Sequence, residues 1–155
     1  MDKNQLIVLQ ADINAQLTII KTIAATVEER ARGLETDDAV RLESVAYQIH
    51  NLYNGTEDLL KLIATHFENQ ISDSTRWHTL LLQRMTQELP GIRPAVLSQK
   101  SYLLLNALRG FRHFFRHAYG VPIDYDQLLL NLNKARQLYP LLEQDLHQFL
   151  QVLDG

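Results

Sequence analysis

Residues 6–33 read LIVLQADINAQLTIIKTIAATVEERARG, and their apolar side chains recur at alternating steps of three and four residues. An α-helix turns once every 3.6 residues, so this spacing gathers the apolar side chains on one helix face. The segment TIIKTIAATV is β-branched enough to suit a strand locally, but the long unbroken stripe favours a helix. The helix is predicted to end at Gly33, after basic residues in its last turn.

Similar stripes continue along the chain and predict further helices. Thr36 or Asp37 is the expected cap of the second helix, within which Gly55 marks either a break or a weak point. A third helix is expected to stop at residues 89–94, LPGIRP, because two prolines and a glycine do not continue a helix.

The fourth helix is expected to begin at Ser98 or Ser101 and to run to Gly120, and a fifth follows a short loop. There is no internal repeat and no linker-like segment. We therefore predict an all-α fold, an up-and-down bundle of about five helices in a single domain, residues 1–155.

Composition narrows the class of protein. The chain has 155 residues, 46 % of them hydrophobic and 21 % charged, which is typical of a globular domain. It has no cysteine, no apolar run of the length that a membrane span needs and no signal-peptide pattern, so we expect a cytoplasmic protein without a membrane partner. Because the net charge is −3, any binding of anions must be local.

One segment is nevertheless strongly basic: residues 108–120, LRGFRHFFRHAYG. On a helical wheel Arg116 lies about 40° from Arg112, Arg109 about 60° and Tyr119 about 20°, so these four side chains share one face. His113 and His117 lie on its flank. The expected core side consists of Leu104, Leu108, Phe111, Phe115 and Ala118.

Several interpretations of this segment remain open. Arginine near a helix C-terminus is favourable without any function, and the two histidines could simply be packed and hydrogen-bonded. The His113-x3-His117 spacing also suits a metal, but it has no adjacent glutamate and no evident third ligand, so we expect no metal. The functional interpretation is phosphate chemistry, since arginine matches phosphate oxygens and histidine transfers protons near neutral pH. His50, His66 and His147 stand apart and are expected to be structural or surface residues.

Arg112, four residues, His117, one residue and Tyr119 match the Arg-x4-His-x-Tyr motif, and in this the chain resembles the HepT family. HepT proteins are the toxins of HEPN–MNT, or type VII, toxin–antitoxin pairs and belong to the HEPN superfamily of ribonucleases. The resemblance extends from about Ser72 onward. Asn or Asp usually follows the arginine in that family, where this chain has His113.

The resemblance implies a metal-independent endoribonuclease that needs no cofactor and attacks the phosphate with the 2′-hydroxyl of the RNA. His117 is expected to be the general base or acid, and Arg112 to bind the scissile phosphate. His113 is a second polar contact and the candidate for the complementary acid. Arg109 and Arg116 would bind RNA, for which transfer RNA and messenger RNA both fit.

The resemblance also implies partners. Tyr119 would be the residue that an MNT-type nucleotidyltransferase antitoxin silences by AMPylation. Arg112 and His117 are about 140° apart around the helix, so a homodimer with two motif helices flanking one cleft is expected. The competing hypotheses are a non-catalytic helical binding partner or substrate-binding subunit of a nucleotidyltransferase, and a purely structural bundle.

Overall fold

A computed structural model describes residues 1–68, 77–117 and 120–155, with only the backbone described at 77–79. The described residues form five α-helices and no strand. The helices are α1 (Lys3–Ala31), α2 (Ala39–Phe67), α3 (Trp77–Met85), α4 (Gln99–His117) and α5 (Tyr125–Asp154). The prediction of an all-α fold with about five helices is confirmed.

The central element is α2, which contacts each of the other four helices. It buries side chains around much of its circumference, whereas α1 and α5 each bury a single stripe. α1 packs along α2 and α5, and α4 packs against α2 and α5 on another side. This arrangement sets the basic helix α4 directly beside the polar residues that α2 carries in its middle.

The cap of α2 is Asp38, whose carboxylate accepts a hydrogen bond from the backbone N–H of Arg41 at 3.1 Å. The prediction of Thr36 or Asp37 was wrong by one or two residues. Both lie inside a turn that is closed by a hydrogen bond from the Asp38 N–H to the Glu35 carbonyl oxygen, so neither can lead the helix. The cap is the first acidic side chain after that turn.

The start of α4 is as predicted. The hydroxyl of Ser98 accepts a hydrogen bond from the backbone N–H of Ser101 at 3.2 Å, which caps the helix. The backbone N–H and the hydroxyl of Ser98 both donate to the Asp145 carboxylate of α5 at 3.0 Å. At the other end α4 is described to His117, and the last turn predicted before Gly120 falls on residues outside the described part of the chain.

α2 runs through Gly55 without a break. A Cβ atom at this position would lie 3.3 Å from Cδ1 of Ile23 and 3.5 Å from Cγ1 of Ile20, both on α1. The side-chain amide of Gln16 also donates to the Gly55 carbonyl oxygen at 2.9 Å. Gly55 is therefore a point where α1 approaches the α2 backbone closely, rather than a break in the helix.

α1 is long and apolar enough to cross a membrane by length and composition alone, with a mean hydropathy of 1.2 over 18 residues. We expected no segment of this kind from the sequence. Only 17 % of that window is buried. The buried side chains of α1, which packs against α2 and α5, are Leu9, Ile13, Ile20, Val27 and Ala31.

Replacing Gly55 with leucine should destabilise the protein, because the added side chain overlaps Ile20 and Ile23. We expect the free energy of unfolding to fall by about 1–3 kcal/mol, the usual cost of overpacking. The control is Gly110→Ala on α4, where a Cβ atom meets nothing within 4 Å. There the gain in helix propensity should raise the free energy of unfolding by about 0.5–1 kcal/mol. Chemical denaturation measures both values, and equal effects of the two substitutions would contradict the close approach at Gly55.

Candidate functional site

The orientation of α4 is set by its apolar side chains. Leu105, Leu108 and Phe111 are buried, and the neighbouring Leu104 and Phe115 are half-buried. The predicted core side is confirmed at Leu104, Leu108, Phe111 and Phe115. Leu105, which the prediction did not include, is also fully buried, and Ala118 lies outside the described residues.

This orientation places Arg112 at the edge of the core, facing α2. Its Nε–H group donates a hydrogen bond to Oδ1 of Asn54 at 2.6 Å. Its guanidinium carbon lies 5.8 Å from the centroid of the Tyr53 ring, within the range of a cation–π contact. No described residue accepts a hydrogen bond from the two terminal nitrogens of Arg112. The hydrogen bond at Nε and the contact with the Tyr53 ring thus hold the side chain in place, and its terminal N–H groups are available to an anion.

Asn54 continues this contact to a histidine. Its Nδ2 atom lies 3.0 Å from Nε2 of His50, one turn earlier on α2. The His50 ring packs on Phe115 of α4, with ring centroids 5.6 Å apart, and stacks on Tyr47, with centroids 6.4 Å apart. Three residues from two helices therefore form a continuous polar path, His50–Asn54–Arg112.

The electrostatics of this path differ from those of a surface site. Burial lowers the pKa of His50 below its usual value, and the positive charges of Arg112 and Arg116 lower it further. Burial, together with the neighbouring Glu57 carboxylate, raises the pKa of Tyr53 far above its usual value. His50 is therefore neutral at neutral pH, and Tyr53 keeps its proton.

The other basic residues of α4 face outward. Arg116, His113 and His117 are exposed, and the two histidine rings lie one turn apart with centroids 4.6 Å apart. Arg109 is half-buried and donates from Nε and Nη2 to Oδ1 of Asn106 on its own helix. The three arginines that we expected to share one helix face thus have different roles in the fold. Arg112 is anchored to α2, whereas Arg109 and Arg116 are not.

Tyr119 falls outside the described residues. Among the residues that are described, no group of three or more histidine, aspartate and glutamate side chains is placed to hold a metal ion.

The basic residues do not line the cleft on the far side of α4. That cleft, of about 650 Å³, lies between the start of α2 and the end of α4 and is lined by Phe111, Phe114 and Phe115 with acidic residues of the α1–α2 connection and α2. Neither Arg112 nor His117 lines it. The candidate site is therefore an open basic face of one chain rather than an enclosed pocket.

Sequence reasoning missed the α2 side of this site. His50 was expected to stand alone, and the structure corrects this by connecting it to Arg112 through Asn54. A signal was present in the sequence: His50 and Asn54 are spaced i, i+4 and lie beside the apolar positions Ile49 and Tyr53. Buried polar side chains usually have a hydrogen-bond partner, so this pair at the edge of a core stripe indicated a polar contact.

The family model described as HepT-like protein matches residues 44–153. The matched region begins within α2 and contains every residue of the polar path and the whole of α4. Comparison with curated proteins and with solved structures gives no match for this chain.

Proposed function

The chain belongs to the family of HepT-like proteins, and from this premise we propose that it is an RNA-cleaving toxin of the HEPN–MNT type. The family is of the HEPN nuclease type and is usually paired with a nucleotidyltransferase antitoxin. One observation carries the proposal for this chain. In the motif Arg112-x4-His117, the arginine is anchored with its terminal N–H groups available, while the histidine is exposed on the same helix.

The proposed reaction needs a proton acceptor, a proton donor and a positive charge at the phosphate. The 2′-hydroxyl oxygen of the RNA attacks the adjacent phosphorus, and the bond from phosphorus to the 5′-oxygen breaks. One imidazole takes the proton of the 2′-hydroxyl, and a second group returns a proton to the leaving 5′-oxygen. The products carry a 2′,3′-cyclic phosphate and a 5′-hydroxyl.

The residues are assigned to these steps by their chemistry. Arg112 binds the scissile phosphate through its terminal N–H groups and stabilises the charge of the transition state. His117 is the general base or acid, and His113, whose ring lies next to it, is the candidate for the complementary acid. Arg109 and Arg116 bind the flanking RNA, because repulsion between neighbouring cations is relieved by a polyanion.

We propose that the active form is a homodimer. Arg112 and His117 point in directions about 140° apart on α4, so a second copy would complete the site. On the side of α4 away from Arg112, two large apolar side chains are exposed, Leu103 at 58 % and Phe114 at 53 %. They are eleven residues apart, which places them about 20° from each other on the wheel, and Phe114 lies about 60° from His117. This apolar row supports an interface on the His117 side of α4, across a two-fold axis.

The antitoxin is proposed to be an MNT-type nucleotidyltransferase that attaches AMP to Tyr119. Tyr119 follows Arg116 by three residues and Arg112 by seven in the sequence, and both arginines would pair with an added phosphate as with an RNA phosphate. The modified toxin would then carry a covalent occupant of its own RNA site.

Arg112→Ala and His117→Ala should each lower RNA cleavage by at least about 100-fold, since each removes a charge or proton-transfer group from the transition state. The controls are Arg32→Ala and His147→Ala, exposed residues away from α4, which should cleave within about twofold of the parent protein. Cleavage of a labelled transfer RNA and of a messenger RNA, with circular dichroism as a test of folding, measures both sets. RNA binding without cleavage by the parent protein would favour the non-catalytic binding partner instead.

Leu103→Glu and Phe114→Glu should yield folded monomers, because a carboxylate in an apolar contact is desolvated without a partner. Light scattering would detect the change in mass, and cleavage should fall by at least about tenfold if both subunits build the site. Leu130→Glu on α5, equally exposed at 53 %, is the matched control and should remain dimeric and active. A parent protein that is monomeric and active would refute the dimer.

Tyr119→Phe should still cleave RNA but should not be modified by the antitoxin. Intact-mass measurement after co-expression with the neighbouring nucleotidyltransferase gene should show gains in multiples of one AMP for the parent protein and none for this variant. Tyr47→Phe, which alters an exposed tyrosine of α2, should be modified like the parent. AMP on the Tyr119→Phe protein would assign the modification to another residue.

A further inference from the structure

The polar path from His50 to Arg112 has a single consistent assignment of its protons. The Nε–H group of an arginine only donates, so the Asn54 atom that faces it at 2.6 Å must be the carbonyl oxygen Oδ1. The amide nitrogen of Asn54 therefore faces His50, 3.0 Å from Nε2. Because an amide nitrogen only donates, Nε2 must accept, and His50 must be neutral with its proton on Nδ1.

We propose that His50 and Asn54 are positioning residues for Arg112, and that protonation of His50 releases the arginine from α2. When Nε2 gains a proton, it no longer accepts from the Asn54 amide nitrogen. The amide then turns to offer its oxygen to the protonated Nε2 of His50. Two donors, the Asn54 amide nitrogen and the Arg112 Nε–H, now face each other, and the anchor of the arginine is broken.

The surroundings of His50 favour the neutral state. Among the described residues, the charged groups that act on it are Arg112 and Arg116, both from α4, and both repel an imidazolium ion. Tyr47 and Phe115 cover the ring from α2 and α4. Nδ1 is buried and has no hydrogen-bond partner in the described part of the chain. No acceptor there therefore stabilises the positive charge of a protonated ring.

The sign of the pH effect follows from these contacts. The pKa of His50 in the folded protein is depressed below 6.5 by burial and by the two arginines. The contribution of the neutral pair to stability is therefore fully present above about pH 6.5 and is lost as the pH falls through the folded pKa. Arg112 should be anchored at neutral pH and released in acid.

For RNA cleavage this inference rests on the proposed function, since only a nuclease would use Arg112 on a phosphate. The anchor itself can be tested without any activity. In ¹⁵N-resolved NMR of the full chain, the Arg112 Nε–H signal should be distinct and protected from exchange near pH 7.5. It should lose protection as the pH falls through the folded pKa of His50, which the ring signals of His50 report in the same titration. The internal control is Arg136, whose Nε–H donates to Glu28 without a histidine in the contact.

Three substitutions separate the roles of His50 and Asn54. His50→Gln keeps an acceptor oxygen within reach of the Asn54 amide but does not titrate, so the Arg112 signal should no longer respond to pH. Asn54→Asp gives a carboxylate that accepts from Arg112 and from protonated His50 together, so protection should persist in acid. Asn54→Leu removes the acceptor, and protection should be lost at every pH. Circular dichroism confirms that each variant is folded.

A parent protein whose Arg112 signal is unprotected at pH 7.5, or is equally protected before and after His50 is protonated, overturns the inference. So does a pH response that survives in His50→Gln. The same variants are then assayed for RNA cleavage, each at a pH where His50 of the parent is protonated, relative to its own rate at pH 7.5. His50→Gln and Asn54→Asp should retain at least about threefold more of their rate than the parent, mainly in kcat. If the NMR results hold and no variant cleaves RNA, the proposed function fails while the anchor stands.

Discussion

The contact between α4 and α2 is the constraint on which the candidate site depends. Burial of Leu105, Leu108 and Phe111 sets the rotation of α4 about its own axis. That rotation turns Arg112 toward Asn54, and it leaves His113 and His117 on the outside. A rotation of one residue, about 100°, would move Arg112 away from α2 and bury a histidine in its place. Apolar packing thus also decides where the polar groups of α4 lie.

Anchoring an arginine has an energetic consequence for anion binding. A free guanidinium side chain loses rotamer freedom when it binds a phosphate, and this loss weakens the contact. In Arg112 the Nε–H bond to Asn54 and the contact with the Tyr53 ring have already ordered the stem. Among the residues that the structure describes, none holds the exposed side chain of Arg116 in this way. The two arginines are therefore suited to different tasks, one to precise contact with a reacting phosphate and the other to general attraction of a polyanion.

The elements that sequence analysis placed well are those governed by local rules. The stripe of α1 and the serine cap of α4 follow from helical periodicity and capping. By contrast, α3 ends at Met85, four residues before the segment LPGIRP at which we expected it to stop. The error at Gly55 has a tertiary cause. Gly55 looked like a weak point because helix propensity counts only its own backbone, whereas its role is to admit Ile20 and Ile23 of α1.

The features of the candidate site also fall into two groups, those that local sequence rules predict and those that depend on how the helices pack. The sequence by itself determined an all-helical chain and a basic, histidine-bearing face on one late helix, because residues three and four apart on a helix are neighbours whatever the rest of the fold does. Only the tertiary structure decided which of the three arginines is anchored and that His50 and Asn54 belong with it. Asn54 and Arg112 are 58 residues apart in the chain, and no local rule specifies their 2.6 Å contact. It exists because two amphipathic helices bury their apolar stripes against each other and thereby bring the edges of those stripes together.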